Sequence, residues 1–464
     1  MKNICIFLDH DIIIRHFLLN DTFRELEKRY AVFYILACGR RVKTSLAELP
    51  PNKKYYFIPE DTRRLSLYRS LYRAMLMYRV RENPAYKSTR DVWRAIVGPK
   101  EIIRSSIKGS RFIYPFYKKY QLARMGRPVA LEKLIDDISP DVIIHPTVLE
   151  GVFVSDLIQI SKKRNIPCVY LMNSWDNPST KALMLGSPDC LVVWGEQSKC
   201  HAKAFLGVSE DSIVVLGAAQ FEAYRNKPSQ SPEEFKLSQG IDPRNHLILF
   251  AGSGAGRGRD EIDQLFLLEE AIASGILRDS HVLFRPHPWH GPRENEKDFF
   301  ACGFKHITMD ASLAEAYKSE QRAKTSAIFL ADYNYANLVM KSSDIVISGI
   351  STMMLEAIMH GKPTICSVYD KHIEEDSFLG KIFSMYHINE FLANTSVCRC
   401  RDRADFINTC KNMLLQSRND NFTNKLIDES HYFVNFNAEP YPNRLCSLID
   451  KLVTDNNAAT DGLP

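Results

Sequence analysis

With 464 residues, 45% of them hydrophobic and 25% charged, and a net charge of +5, the chain has the balance of a soluble globular protein of two or three domains. That composition excludes a disordered chain, a collagen-like chain and a small disulfide-built scaffold. The longest apolar runs, such as Leu247 to Ala251, fall far short of the ~18 residues that a bilayer-spanning helix needs.

The apolar start, Met1 to Leu8, is closed by Asp9-His10-Asp11 rather than by a small-residue cleavage site, so it predicts a first strand and no secretory signal. An amphipathic helix over Phe17 to Tyr30 and a strand over Ala31 to Leu36 follow, a β-α-β beginning. Between Arg63 and Arg127 stand 17 Lys plus Arg against Glu82, Asp91 and Glu101, a local charge of +14 that leaves −9 on the rest of the chain. Ten aromatics lie in the same segment, among them Tyr68, Tyr72, Tyr78, Trp93, Phe112, Tyr114, Phe116 and Tyr117, and Leu67, Leu71 and Met75 suit one helix face. Three readings fit it: nucleic-acid binding, docking on anionic lipid, or a solvated helical face. No RNP, zinc-finger or helix-turn-helix signature supports the first.

Strands at Val142 to Ile144, Cys168 to Met172 and Cys190 to Trp194 then alternate with helices near Val129 to Ile138 and Val152 to Lys163. After a short helix near Ser198 to Leu206 and a strand at Ile213 to Leu216 comes a polar linker, 226–246, in which Ser231, Pro232 and Glu234 predict a capped helix. A second series begins with a strand at Leu247 to Ala251. It continues through a helix over Glu261 to Ala273 and strands at His281 to Phe284, Ile345 to Ser348 and Thr364 to Ser367. The fold class is therefore α/β, two doubly wound Rossmann-like halves: 1–225 with a helical insertion at 63–127, and 247–425, followed by helices at 426–454 and a disordered tail at 455–464. Eleven cysteines, an odd number with no zinc-type pairs and only Cys398 and Cys400 close together, predict free thiols in a reducing cytosol.

Ligands of open parallel sheets collect at the carboxyl ends of strands. The first strand of the second series runs into Gly252-Ser253-Gly254-Ala255-Gly256-Arg257-Gly258, whose amides suit a phosphate, although the spacing is neither G-x-G-x-x-G nor Walker A. The next ends in Arg285-Pro286-His287-Pro288, where prolines stiffen the chain around a histidine and Arg285 supplies a charged fork. The third ends in Gly349-Ile350-Ser351-Thr352, with Ser351 and Thr352 at a helix start and Glu356 one turn on, within reach of ribose hydroxyls.

Arg285-Pro286-His287-Pro288, Ser343 to Thr352, Glu356-Ala357 and Gly361-Lys362-Pro363 resemble the C-terminal half of GT-B glycosyltransferases. The similarity is strongest to the bacterial surface-polysaccharide group, with its polysialyltransferases, capsule Kdo transferases and CDP-glycerol glycerophosphotransferases. It covers Leu247 to Val368 well and the first half loosely. It implies two domains facing a central cleft, His287 as donor-phosphate ligand and acid, and Ser351 and Thr352 as phosphate ligands. The acceptor-activating base is then a first-half carboxylate, Glu150 or Asp176. Glu150-Gly151 resembles the acidic-acidic-Gly motif of the polysialyltransferases, with Leu149 where an acid is expected. His10, Asp11 and His16 are expected on the acceptor side. Asp9-His10-Asp11 also spells the D-x-D of metal-dependent GT-A enzymes, but GT-B enzymes use basic groups and helix dipoles, so neither metal nor cofactor is expected. The implied activity is transfer of a sugar from a UDP- or CMP/CDP-linked donor to a bacterial surface glycan or glycolipid. The chain would be cytoplasmic and peripherally bound to the anionic face of the inner membrane. The alternatives are a CDP-polyol phosphotransferase, a nucleotide-sugar epimerase and a non-catalytic membrane-docking module.

Overall fold

The computed structural model describes residues 1–39, 42, 44, 46–181, 184–253, 261–287, 299–318, 333–370, 373 and 377–461. Among these residues, strands β1 (Asn3–Leu8), β2 (Ala31–Cys38), β3 (Lys54–Pro59), β4 (Val142–Thr147), β5 (Cys168–Met172), β6 (Cys190–Val193) and β7 (Ile213–Val215) form one sheet in the order β3-β2-β1-β4-β5-β6-β7. Strands β8 (His246–Ala251), β9 (Ser280–Arg285), β10 (Ile307–Met309), β11 (Ile345–Ser348), β12 (Thr364–Cys366) and β13 (Cys398–Arg399) form a second, in the order β10-β9-β8-β11-β12-β13. Every pairing is parallel. In each sheet the chain order reverses beside the first strand, at β1/β4 and at β8/β11.

Central strands covered on both faces need uninterrupted apolar sequence, and Ile4 to Leu8 and Leu247 to Phe250 are fully buried. The chain divides into two compact units, Met1–Glu222 with Met385–His387 and Phe433–Pro464, and Ala223–Ser384 with Ile388–Tyr432. The terminal segment thus belongs with the first sheet, where Leu445 and Ile449 pack in one cluster with Ile4, Ile6, Phe17 and Phe23. Its helix, Tyr441–Asp461, continues beyond Asp455, where composition predicts an unstructured end.

The predicted helix over Phe17 to Tyr30 is broken into a π turn, Ile14–Leu18, and a helix, Arg24–Arg29. The break lies at Asp21, whose φ of 54° is left-handed and incompatible with continuing the helix. Ser231 caps Pro232–Ser238 reciprocally with Glu234, as the linker sequence predicts.

The basic segment is helical: Thr62–Glu82, Lys87–Ile96, Pro99–Lys108 and Tyr114–Met125. Its aromatics divide. Tyr68, Tyr86 and Tyr114 are core residues, whereas Phe112 and Phe116 are 84% and 78% exposed. The segment is tied to the sheet layer by Arg64, whose Nη1 and Nη2 donate to both Asp156 oxygens at 2.6 and 2.8 Å and whose Nε donates to the Met125 carbonyl. Burial pushes the Asp156 carboxyl up from its usual value while the Arg64 charge pulls it back.

Candidate active site

At the carboxyl edge of the second sheet, loops from four adjacent strands converge. Gly252 follows β8 and donates its N–H to the Arg285 carbonyl at 2.8 Å, and a Cβ there would lie 3.1 Å from His287 N and 3.2 Å from Pro286 Cα. Glycine suits the close approach of the β8 and β9 ends, where a side chain would press on the β9 backbone. A Cβ on Gly349, after β11, would sit 1.7 Å from Ser253 Oγ, with Ser367 Oγ of the β12 end 3.6 Å away. Gly252, Ser253, His287 and Gly349 are thereby gathered at the edge of the β8/β11 switch point, where the N-terminus of the Thr352–Met359 helix begins.

Two described amides of the glycine loop are already engaged, contrary to the expectation that they face a phosphate. Gly252 N serves Arg285, and Ser253 N donates to Glu261 Oε1 at 2.5 Å. Ser253 instead presents a hydroxyl, which is buried and has no hydrogen-bond partner among the described residues. Gly254, Gly256, Arg257 and Gly258 lie outside the described residues. Arg285 also differs from expectation: its Nε lies 2.8 Å from Asp310 and its guanidinium stacks over Tyr335. Asp310 is in turn held by Ser312 and by the Tyr335 hydroxyl at 2.7 Å. One edge of the Arg285 fork is therefore occupied, and its fixed plane stiffens the turn that carries His287, which is half-buried.

Ser351 caps the helix, its Oγ accepting from Met353 N at 3.3 Å and lying 3.0 Å from Ser348 Oγ. Thr352 is half-buried in the first turn. First-turn amides have no intrahelical acceptor and carry the positive end of the helix dipole. Glu356 is buried and accepts from the Tyr224 hydroxyl, so the structure gives it a partner inside the second unit in place of the expected exposure to ribose.

The first sheet offers carboxylates. Asp9, directly after β1, is buried with Oδ1 unpartnered among the described residues, and its Oδ2 is 3.9 Å from Nε2 of His145 on β4. His145 Nδ1 is 3.0 Å from the Phe7 carbonyl, which can only accept, so this nitrogen carries the proton. Burial lowers the pKa of the ring and keeps it neutral, which leaves Nε2 a bare acceptor facing a carboxylate. At 3.9 Å the two groups are not hydrogen-bonded, and a proton arriving on Nε2 would set a positive charge beside the carboxylate. Asp9 opens on a narrow cleft lined with Gly39, Glu60, Leu65, Gly151 and Phe153.

Glu150 is half-buried after β4, between Leu149 at φ 58° and Gly151 at φ 135°; a left-handed leucine is a strained placement of the kind found at functional loops. Asp176, after β5, accepts from Thr180 Oγ1 at 3.1 Å, and its own carbonyl accepts from Thr180 N. Burial pushes its carboxyl up, but Lys181, His387 and hydrogen bonds from Ser174 and Thr180 outweigh it and hold the group below the usual carboxylate range. That suits a turn anchor better than a base. His10 is the N-cap of the Asp11–Ile13 turn, Asp11 accepts from Thr44 N and Oγ1 at 3.1 and 2.6 Å, and His16 is buried and pushed down to about 3 by burial. Asp9 and His145 are the pair that sequence reasoning passed over. The signal was a carboxylate at the end of the first strand, but its partner lies 136 positions away.

No protein-family model and no curated protein sequence matches the chain. Solved structures do. A Listeria monocytogenes protein described as a UDP-N-acetylglucosamine 2-epimerase superposes with a TM-score of 0.53 at 12% identity, over 97% of this chain and 95% of the other. The UDP-GlcNAc 2-epimerase of Neisseria meningitidis, solved with UDP-GlcNAc bound, gives 0.52 at 11% identity over 97% and 100%. The wall teichoic acid polymerase TagF gives 0.50 at 10% identity over 97% and 89%. The fold is of the GT-B type. Such a fold hosts several chemistries, so function has to be argued from the residues at its strand ends. In this chain the strand ends at the two switch points are those of β8 and β11 in the second sheet and of β1 and β4 in the first.

Proposed function

We propose that this GT-B-type protein is a glycosyltransferase that moves a sugar from a nucleotide-linked donor to a surface glycan or glycolipid without a metal. The observation that carries the reading is the convergence of Gly252, Ser253, His287 and Gly349 beside the start of the Thr352–Met359 helix. These groups suit the phosphates of a UDP- or CMP/CDP-linked donor: hydroxyls of Ser253, Ser351 and Thr352, helix amides, and His287. In the reaction the acceptor O–H attacks the anomeric carbon, the bond from that carbon to the phosphate oxygen breaks, and the nucleotide leaves with the electron pair. His287 and the helix N-terminus hold the charge that develops on the phosphate.

The acceptor proton goes to a first-half carboxylate. Asp9, a buried carboxylate 3.9 Å from the neutral His145 ring, supports this role, and Glu150 on the strained β4 loop stands at the neighbouring strand end. What favours transfer over epimerisation is the cationic and apolar helical segment, which a reaction on a free nucleotide sugar does not require. Among the described residues no helix is long and apolar enough to cross a bilayer, so contact with a lipid-borne acceptor would be peripheral.

The test is to incubate the pure protein with a panel of nucleotide sugars and with CDP-glycerol, with and without lipid-linked acceptor, and to measure free nucleotide. Acceptor-dependent release from one nucleotide sugar is expected. Release from CDP-glycerol alone would favour a phosphotransferase, and conversion of the sugar without release of nucleotide would overturn transfer in favour of epimerisation.

A further inference from the structure

The helical segment between β3 and β4 carries two surfaces that the reaction does not use. The first is a cavity of about 410 Å3 between the Thr62–Glu82 and Pro99–Lys108 helices. Ser66, Arg69 and Arg73 line it from one helix, and Glu101, Arg104 and Lys108 from the other. Each set recurs at three- and four-residue steps and so occupies one helix face. With Glu60, the lining holds four cations against two carboxylates. Glu101 is shared between Arg73 Nη1 at 2.9 Å and Arg104 Nη1 at 3.5 Å, and Lys108 donates to Ser70 Oγ at 3.2 Å. Half-buried Arg69 has no carboxylate partner among the described residues. Positive charge in excess, together with serine hydroxyls, is the lining that a phosphate requires.

The second surface adjoins it. Ile103 and Ile107 precede Arg104 and Lys108 by one position each, so they stand about 100° round the same helix from the cavity, 61% and 56% exposed. Beyond the turn, Phe112, Phe116 and Tyr120 follow at four-residue spacing and are also exposed. Exposed aliphatic and aromatic side chains flanked by Lys and Arg are the arrangement of helices that lie in a bilayer interface. Isoleucine has no π face on which a base could stack, so the ridge suits lipid rather than nucleic acid.

We propose that the cavity holds the phosphate of an anionic lipid headgroup while the ridge of Ile103, Ile107, Phe112 and Phe116 enters the acyl boundary. This rests on the reading of a protein that works at a membrane and names the site that makes the contact. It is tested by flotation of the full chain with vesicles of phosphatidylcholine alone and of phosphatidylcholine with phosphatidylglycerol. Arg69→Gln with Arg104→Gln should lower partition onto the anionic vesicles about 30-fold. Lys162→Gln with Lys163→Gln, an equal loss of charge on exposed positions outside the cavity, should change it little. Ile103→Ser with Ile107→Ser should abolish the binding that survives high salt.

Equal losses in the two charge variants would overturn the site and leave general electrostatic attraction. No binding of wild type to either vesicle, with nucleotide binding intact, would overturn the membrane reading itself. Calorimetric binding of free glycerol phosphate that is lost in the cavity variant, without vesicle binding, would reassign the cavity to a soluble phosphate. Tighter binding to single-stranded RNA than to anionic vesicles would overturn the lipid assignment.

Discussion

At the carboxyl edge of the second sheet the groups gathered are serine hydroxyls, a histidine, a helix N-terminus and two glycines that keep the backbones close. At the same edge of the first sheet they are Asp9, Glu60 and Glu150, with a buried neutral imidazole behind Asp9. Both sheets reverse order beside their first strand, so topology supplies each with an equivalent crevice. On the proposed reading, residue chemistry gives the crevices opposite tasks: donors that hold an anion in one, acceptors that remove a proton in the other.

Asp156→Ala should break the comparison most severely. It leaves Arg64 buried and unpaired and should cost about 3–5 kcal/mol of stability in urea. Because this pair lies in the first unit, nucleotide affinity should stay near wild type in the folded fraction; a parallel fall would show that the halves do not bind independently. His287→Ala comes next, with turnover reduced about 10²- to 10³-fold and far-ultraviolet circular dichroism unchanged. On the other sheet, Asp9→Asn should lose about 10²-fold in turnover at saturating donor while keeping nucleotide binding, and Asp176→Asn should lose far less. If Asp176→Asn proves the more damaging, the proton goes to β5 and not to β1.

Gly349→Ala should act more mildly, because the added methyl pushes Ser253 out of place without removing a charge. Nucleotide affinity is expected to fall about tenfold, at the scale of one lost hydrogen bond to a charged group. Gly98→Ala, where a Cβ meets nothing within 4 Å, is the control and should be silent. Equal affinities in the two variants would place the nucleotide elsewhere.

These contrasts were legible in the sequence to different depths. Central strands such as β1 and β8 read as strands because burial on both faces demands unbroken apolar runs. The edge strand β3 escaped because Lys54, Tyr56 and Phe57 are exposed there, and β10 and β13 because three and two residues make no pattern. Ser351 was readable as a cap because its acceptance of the Met353 N–H is local. Arg285 read as a free phosphate fork because its partner, Asp310, follows the unforeseen strand β10. Asp9 looked like half of a metal motif because nothing nearby in sequence announces His145.

The effect expected to be smallest at any one pH step is a gradual acid loosening that ignores the difference between the halves. His16 in the first unit and His281 in the second are both buried, and burial brings them down to about 3 and about 4. Arg15 and His10 lower His16 further while a hydrogen bond with Asn173 raises it; at His281, His306 lowers and Glu269 raises. In the unfolded chain both titrate near the ordinary histidine value of about 6.5. Between that value and the folded one, the unfolded state binds more protons, so folding stability is complete above about pH 6.5 and declines as pH falls toward about 4. Urea midpoints taken across this window should decrease steadily on acidification. His281→Gln, which keeps a hydrogen-bonding group for the Thr308 hydroxyl but cannot titrate, should flatten the decline. A midpoint that rises on acidification would mean that these imidazoles are charged in the folded protein and that burial does not govern them.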